Sequence, residues 1–208
     1  MLRRPVMVPD ASFFQHGWEP TGPHLERLFG SICERMGLDP DGVGLYVGES
    51  SIETQSNHTI ASAGGSAAGL FHRDEQGRPV VGVSLDLIDE PITLTATLAH
   101  ELAHVRLLHE RRLTGEEEDH ELTTEATAGL LGFGVFSANS AVRERDVQFS
   151  TGTGWSVGQL GYFRVQTWGA LLGLLAHHRG EDRPPWASAL TGSARRTMSA
   201  TQRWLARR

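Results

Sequence analysis

Residues 91–112 restrict this chain more than any other stretch. Ile92, Leu94, Leu98, Leu102, Val105 and Leu108 recur at helical intervals, which places an apolar stripe along one face of a helix. Asp89, Glu90 and Pro91 precede the stripe, and Arg111, Arg112 and Gly115 follow it, as expected at a helix start and stop. The pattern predicts a helix of about five turns. Inside it stands His100-Glu101-Leu102-Ala103-His104. Two histidines four residues apart share a helical face, so both imidazoles reach one metal ion, typically Zn²⁺ at about 2.0–2.1 Å. Glu101 lies beside that ion, placed as the general base that takes a proton from an activated water.

Composition narrows the setting. The chain has 208 residues, enough for one substantial core, and is expected to form a single domain. Residues 1–90 would supply an N-terminal arm, a helix and a small sheet, and residues 91–208 the histidine-bearing helix and a mainly helical half. A formal charge of −6 argues against nucleic acid or an anionic membrane as a partner, because both favour a basic surface. Cys33 is the only cysteine, so no internal disulfide forms, and with no leader apparent in the first ten residues a reducing cytoplasm is expected. Cys33 is read as packing. Polar residues interrupt the apolar segments 126–142 and 158–176, which are therefore read as buried helices and not membrane spans.

In chain order, the sequence predicts an irregular Pro- and Gly-rich arm over residues 1–23 and a helix over 24–36 ended by Gly37. A strand is expected over 43–47, then a polar loop over 49–66 that includes Gly64-Gly65 and the acceptor-like triplet Asn57-His58-Thr59. Strands over 68–72 and 80–88 follow, feeding the histidine-bearing helix. The small sheet would lie beside that helix, with an edge strand able to pair with an extended peptide. After the acidic link 115–119, a second helix is expected from 120 to at least 135, carrying Glu121 and Glu125 one turn apart. Residues 150–161 read as a mobile glycine-rich loop, 162–178 as a helix, and 193–208 as an amphipathic tail helix with solvated arginines.

A catalytic zinc needs three protein ligands and an open position. His109 is rotated off the shared face. His120 is a candidate at the start of the second helix, but Glu121 is preferred: its carboxylate can bind metal while Glu125, one turn later, accepts a hydrogen bond from a ligating histidine. Here the chain resembles the gluzincin group of zinc metallopeptidases, over about residues 80–135, with HELAH on one helix and an acidic pair on an antiparallel second helix. Glu125 stands where that group usually has an aspartate. The chain is also similar to the ImmA/IrrE-type metallopeptidases, in which Glu125-Ala126 would supply the match and Glu125 the third ligand.

These resemblances imply an α+β, zincin-like fold: a small, mostly antiparallel sheet packed on the active-site helix, with a helical C-terminal half. They imply a zinc metallopeptidase acting on a peptide or protein substrate, with His100, His104 and Glu121 on Zn²⁺ and Glu101 as base. Tyr162 is a candidate oxyanion donor, as are His177, His178 and Arg164; His16, His24, His58 and His72 are expected to take no part. The rival reading is a non-catalytic or regulatory protein-binding module that keeps a structural zinc site.

Overall fold

The structure, a computed structural model, describes residues 3–14, 17–48, 60–61, 68–149, 152–159 and 161–207, with only the backbone path for 60–61, 142–149 and 152–159. Gln15 and His16, and most of the polar stretch 49–67 with Asn57, His58, Thr59, Gly64 and Gly65, lie outside the described residues.

The first long element, α1, spans Gly22–Met36. Its stripe of Leu25, Leu28, Phe29, Ile32, Cys33 and Met36 is buried. Gly37 ends it at φ 75°, in the left-handed region that glycine adopts without a Cβ penalty, with its N–H turned back on the last carbonyls. Four strands follow: β1 (Gly44–Gly48), β2 (Ile60–Ala61), β3 (Gly69–Arg73) and β4 (Pro79–Ser84). They form one sheet in the order β1-β4-β3-β2, in which only the β1–β4 pair is parallel. The fold is thus mixed α+β with a mostly antiparallel sheet.

β4 stops earlier than its alternating pattern predicts. The Ser84 side chain accepts a hydrogen bond from Asp86 N, and residues Leu85–Leu87 turn in a short 3₁₀ segment that buries Leu87. Helix α2 (Pro91–His104) follows at once, with Pro91 in its first turn. Leu94, Leu98 and Leu102 are fully buried, each stabilising the fold by about 1.5–3 kcal/mol. Ile92 departs from the expected stripe and is exposed. The helix continues as one π-helical turn over Val105–His109, where Glu110 N donates to Val105 O and the Arg73 guanidinium donates to Leu108 O at 2.9 Å.

The second predicted helix is two helices. α3 (His120–Ala128) and α4 (Gly134–Ser140) are separated by a π-helical turn at Gly129–Phe133. Gly132 sits there at φ 116°, and a Cβ on it would meet Pro5 O at 2.5 Å. The N-terminal arm runs through this break, where Met7 N donates to Gly132 O at 2.8 Å. Residues 150–161 also depart from expectation: Gly152–Gln159 is a strand, β6, paired antiparallel with β5 (Val142–Phe149). Thr153, Trp155 and Val157 fall on alternate positions of that strand, a two-residue period that the intervening glycines obscure.

The chain closes with α5 (Val165–Arg179) and α6 (Gly192–Leu205). Gly169 and Gly173 of α5 leave no room for a Cβ against the α6 backbone. α5 begins three residues later than expected, which leaves Tyr162 in the segment before it. Arg195, Arg196, Arg203 and Arg207 are exposed. Two apolar clusters result: one joins α1, the sheet, α2 and the α3–α4 turn, and the other joins α4, α5 and α6. Among the described residues no helix is long and apolar enough to cross a membrane.

Candidate metal centre

Helix α2 meets α3 running antiparallel, so that His100 faces Glu125 while His104 faces Glu121 and Thr124. One ligand atom from each of His100, His104 and Glu121 falls in a group no wider than 4.8 Å. His104 is 2% exposed and Glu101 3%. Polar side chains at this depth persist only when their hydrogen-bonding capacity is met.

Following each proton shows what the group is built to hold. His100 Nδ1 donates to Glu125 Oε2 at 2.8 Å, and its other nitrogen, Nε2, faces Glu121 Oε2 at 3.2 Å. The Thr124 hydroxyl donates its one proton to His120 O at 2.8 Å, so its oxygen accepts from His104 Nδ1 at 3.3 Å. His104 Nε2 is thereby turned to the same Glu121 Oε2, at 3.4 Å. A neutral imidazole has one N–H, already given away at Nδ1, so both Nε2 atoms point lone pairs at a carboxylate oxygen. A proton or a cation must lie between them.

The pKa shifts follow from this geometry. Burial by itself lowers the pKa of His100, but hydrogen bonds to Glu121 and Glu125 outweigh it and raise the value to about 10. Burial pushes Glu121 up, whereas hydrogen bonds from His100 and His104 pull it far below the usual carboxylate range. Glu101 is raised, chiefly by burial, with the charges of His100 and His104 opposing the shift. His100, His104 and Glu121 together could hold a metal ion, since they present two imidazole nitrogens and one carboxylate, the donor set that binds divalent transition metals.

Neighbouring groups fix these side chains. Phe71 of β3 stacks on His104 at 5.9 Å between ring centroids, and Tyr162 stacks on His100 at 5.8 Å. A Cβ at Gly69 would lie 2.5 Å from Glu101 Oε1. Gly161 takes φ 77° with its backbone against Glu125, where a Cβ would lie 2.7 Å from Oε1.

The structure therefore brings together His100, Glu101, His104, Glu121 and Glu125, with Tyr162 beside them. Glu125 bonds to His100 Nδ1 and lies outside the group of side chains that could hold a metal ion. His177 and His178 are exposed in the last turn of α5, and Arg164 is exposed ahead of its first turn. His24 bonds to Thr21. Of the acidic link, Glu116, Glu118 and Asp119 are exposed, while Glu117 accepts from Thr114 N and Gly115 N. Thr124 has a signal in the sequence only in its place three residues after Glu121 on the same helical face. Gly69, Gly161 and Phe71 enter through tertiary packing. Comparison with family models, curated proteins and solved structures gives no match.

Proposed function

We propose that this chain is a zinc-dependent metallopeptidase of zincin-like, gluzincin-type architecture that hydrolyses peptide bonds of a peptide or protein substrate. The observation that carries the reading is the pair of Nε2 atoms, of His100 and His104, converging on Glu121 Oε2 beside a buried glutamate. His100, His104 and Glu121 would hold Zn²⁺, which when bound supplies Lewis acidity to a scissile carbonyl and eases deprotonation of water. Glu101 takes the proton of the attacking water on a carboxylate oxygen and delivers it to the leaving amine. Its upward-shifted pKa suits both steps better than that of an exposed carboxylate. Glu125 holds His100 in the tautomer that frees Nε2, and Thr124 does the same for His104. Tyr162, stacked on His100, is the candidate donor to the developing oxyanion. A cytoplasmic setting, the reducing compartment that the buried Cys33 suits, belongs to the same proposal.

The deep burial of His104 and Glu101 favours a second reading, a protein-binding module that keeps the metal as a structural clamp. Glu101→Gln separates the two. A peptidase variant keeps one equivalent of zinc and loses cleavage of a mixed peptide library, read by mass spectrometry, by about 10²–10⁴-fold. Wild-type protein that carries zinc yet leaves the library intact supports the clamp.

A further inference from the structure

We infer that His120 is a fourth protein ligand, moving in on a bound metal to close its coordination shell and swinging aside to open it; this rests on the metallopeptidase reading above. His120 is the first residue of α3, immediately before Glu121. Its Nδ1 lies 2.9 Å from the carbonyl oxygen of Glu117. A carbonyl only accepts, so the ring's proton sits on Nδ1. Its Nε2 is buried and has no hydrogen-bond partner among the described residues.

That orphaned nitrogen faces Glu121 Oε1 at 3.4 Å, the carboxylate oxygen that neither His100 nor His104 faces. The His120 ring centroid is 6.5 Å from that of His104. The geometry at His100 and His104 is thus repeated a third time: Nδ1 is bonded outward to an oxygen, and Nε2 is presented to the Glu121 carboxylate. Turning the ring over would not relieve it, because Glu117 O would then face a carbon. A cation shared with Glu121 satisfies the nitrogen without disturbing the Nδ1 bond, since imidazole ligates through the nitrogen opposite the one it donates from.

Three imidazoles and one carboxylate make a four-coordinate set, the number found in closed zinc sites; His120 Nε2 stands outside the 4.8 Å group formed by the other three ligand atoms, so the ring closes the shell by a small inward movement. His120 differs from the other three ligands in its freedom to leave. Its side chain is 20% exposed, against 12% for His100, 13% for Glu121 and 2% for His104, so its outer edge has a path to solvent. A substrate carbonyl or small chelator would have to displace it.

Cobalt(II) tests the assignment, because the position and intensity of its visible bands change when a nitrogen ligand is exchanged for water. The full chain is stripped with chelator, loaded with cobalt and compared with His120→Ala and His120→Asn. The asparagine amide can still donate to Glu117 O but offers no nitrogen at the Nε2 position. Both variants are expected to take one equivalent of cobalt, to shift their visible bands as water takes the place of the imidazole, and to bind acetohydroxamate at least about ten-fold more tightly than wild type. Spectra and hydroxamate affinity unchanged in both variants would overturn the assignment. So would a change in the alanine variant alone, which would mean that His120 merely secures the start of α3. His100→Ala is the control: if it binds cobalt like wild type, the metal centre itself is refuted, whereas loss of binding there with no effect at His120 removes only the fourth ligand.

Discussion

His100 Nδ1 and Glu125 Oε2 are 2.8 Å apart, and that one bond decides which edge of the imidazole faces Glu121. The carboxylate pins the proton on Nδ1, so Nε2 is free to ligate. Without it the ring would be free to change tautomer or rotate, and each loss of preorganisation weakens the site. Glu125→Ala is expected to lower zinc affinity by about 10–100-fold in a chelator-competition titration. Glu125→Gln, which keeps an acceptor but not the charge, should fall between the two. Unchanged affinity in the alanine variant would remove Glu125 from the site.

Gly69 bears on Glu101 and not on the three side chains that could hold a metal. A Cβ there would lie 2.5 Å from Glu101 Oε1 and 2.7 Å from Thr97 Cγ2, so Gly69→Ala forces the carboxylate out of its place. His100, His104 and Glu121 are untouched. Zinc stoichiometry by elemental analysis should stay at one, while peptide cleavage drops by about 10²-fold, as small misplacements of a reacting group do. Equal loss of zinc and activity would show instead that the strand supports the ligands.

The site was legible in the sequence because helical spacing converts directly into geometry. His100 and His104 share a face by their four-residue separation, and Glu121 and Glu125 do the same on the opposing helix. The Glu125 side chain reaches His100 Nδ1. The break at Gly132 was not legible, because it is set by Pro5 O and Met7 N, which reach it from the far end of the chain. The β5–β6 hairpin was hidden for a different reason: its glycines suggest a loop, and the alternation of Thr153, Trp155 and Val157 is short enough to be outweighed. The place of Tyr162 depended on where α5 begins, and helix ends are fixed by caps and packing more than by periodicity.

Gly132 itself yields a prediction on stability. At φ 116° it occupies backbone space that other residues rarely adopt, and Pro5 O stands 2.5 Å from where a Cβ would be built. Gly132→Ala therefore combines backbone strain with a clash that pushes the N-terminal arm off α4. A loss of about 1–3 kcal/mol is expected in urea unfolding. Gly22→Ala is the control, since that glycine has open space around its Cβ position and φ outside the left-handed region; it should change stability by under about 0.5 kcal/mol.

The paired shifts of His100 and Glu121 give metal binding at this cluster an expected pH signature. His100 is raised from 6.5 to about 10 in the fold, because its carboxylate partners overcome the effect of burial. A pKa raised on folding contributes stability that is complete below the unfolded value and is lost as pH climbs through the folded one. Glu121 is depressed below its ordinary 4.5, so its contribution is present above that value and is lost as pH falls through the folded one. In the metal-free protein the two overlap fully between 4.5 and 6.5, and the His100 share fades from there towards about 10. Zinc must displace the His100 proton to bind, so its affinity moves the opposite way and rises with pH. The gain in Tm from one equivalent of zinc over chelator-treated protein should accordingly be larger at pH 8 than at pH 6, with the metal-free Tm itself lower at pH 8 as far as this cluster sets it. Calorimetry at the two pH values measures both quantities. A zinc-induced gain that is the same at each, or greater at pH 6, would mean that the cation does not compete with the proton on His100.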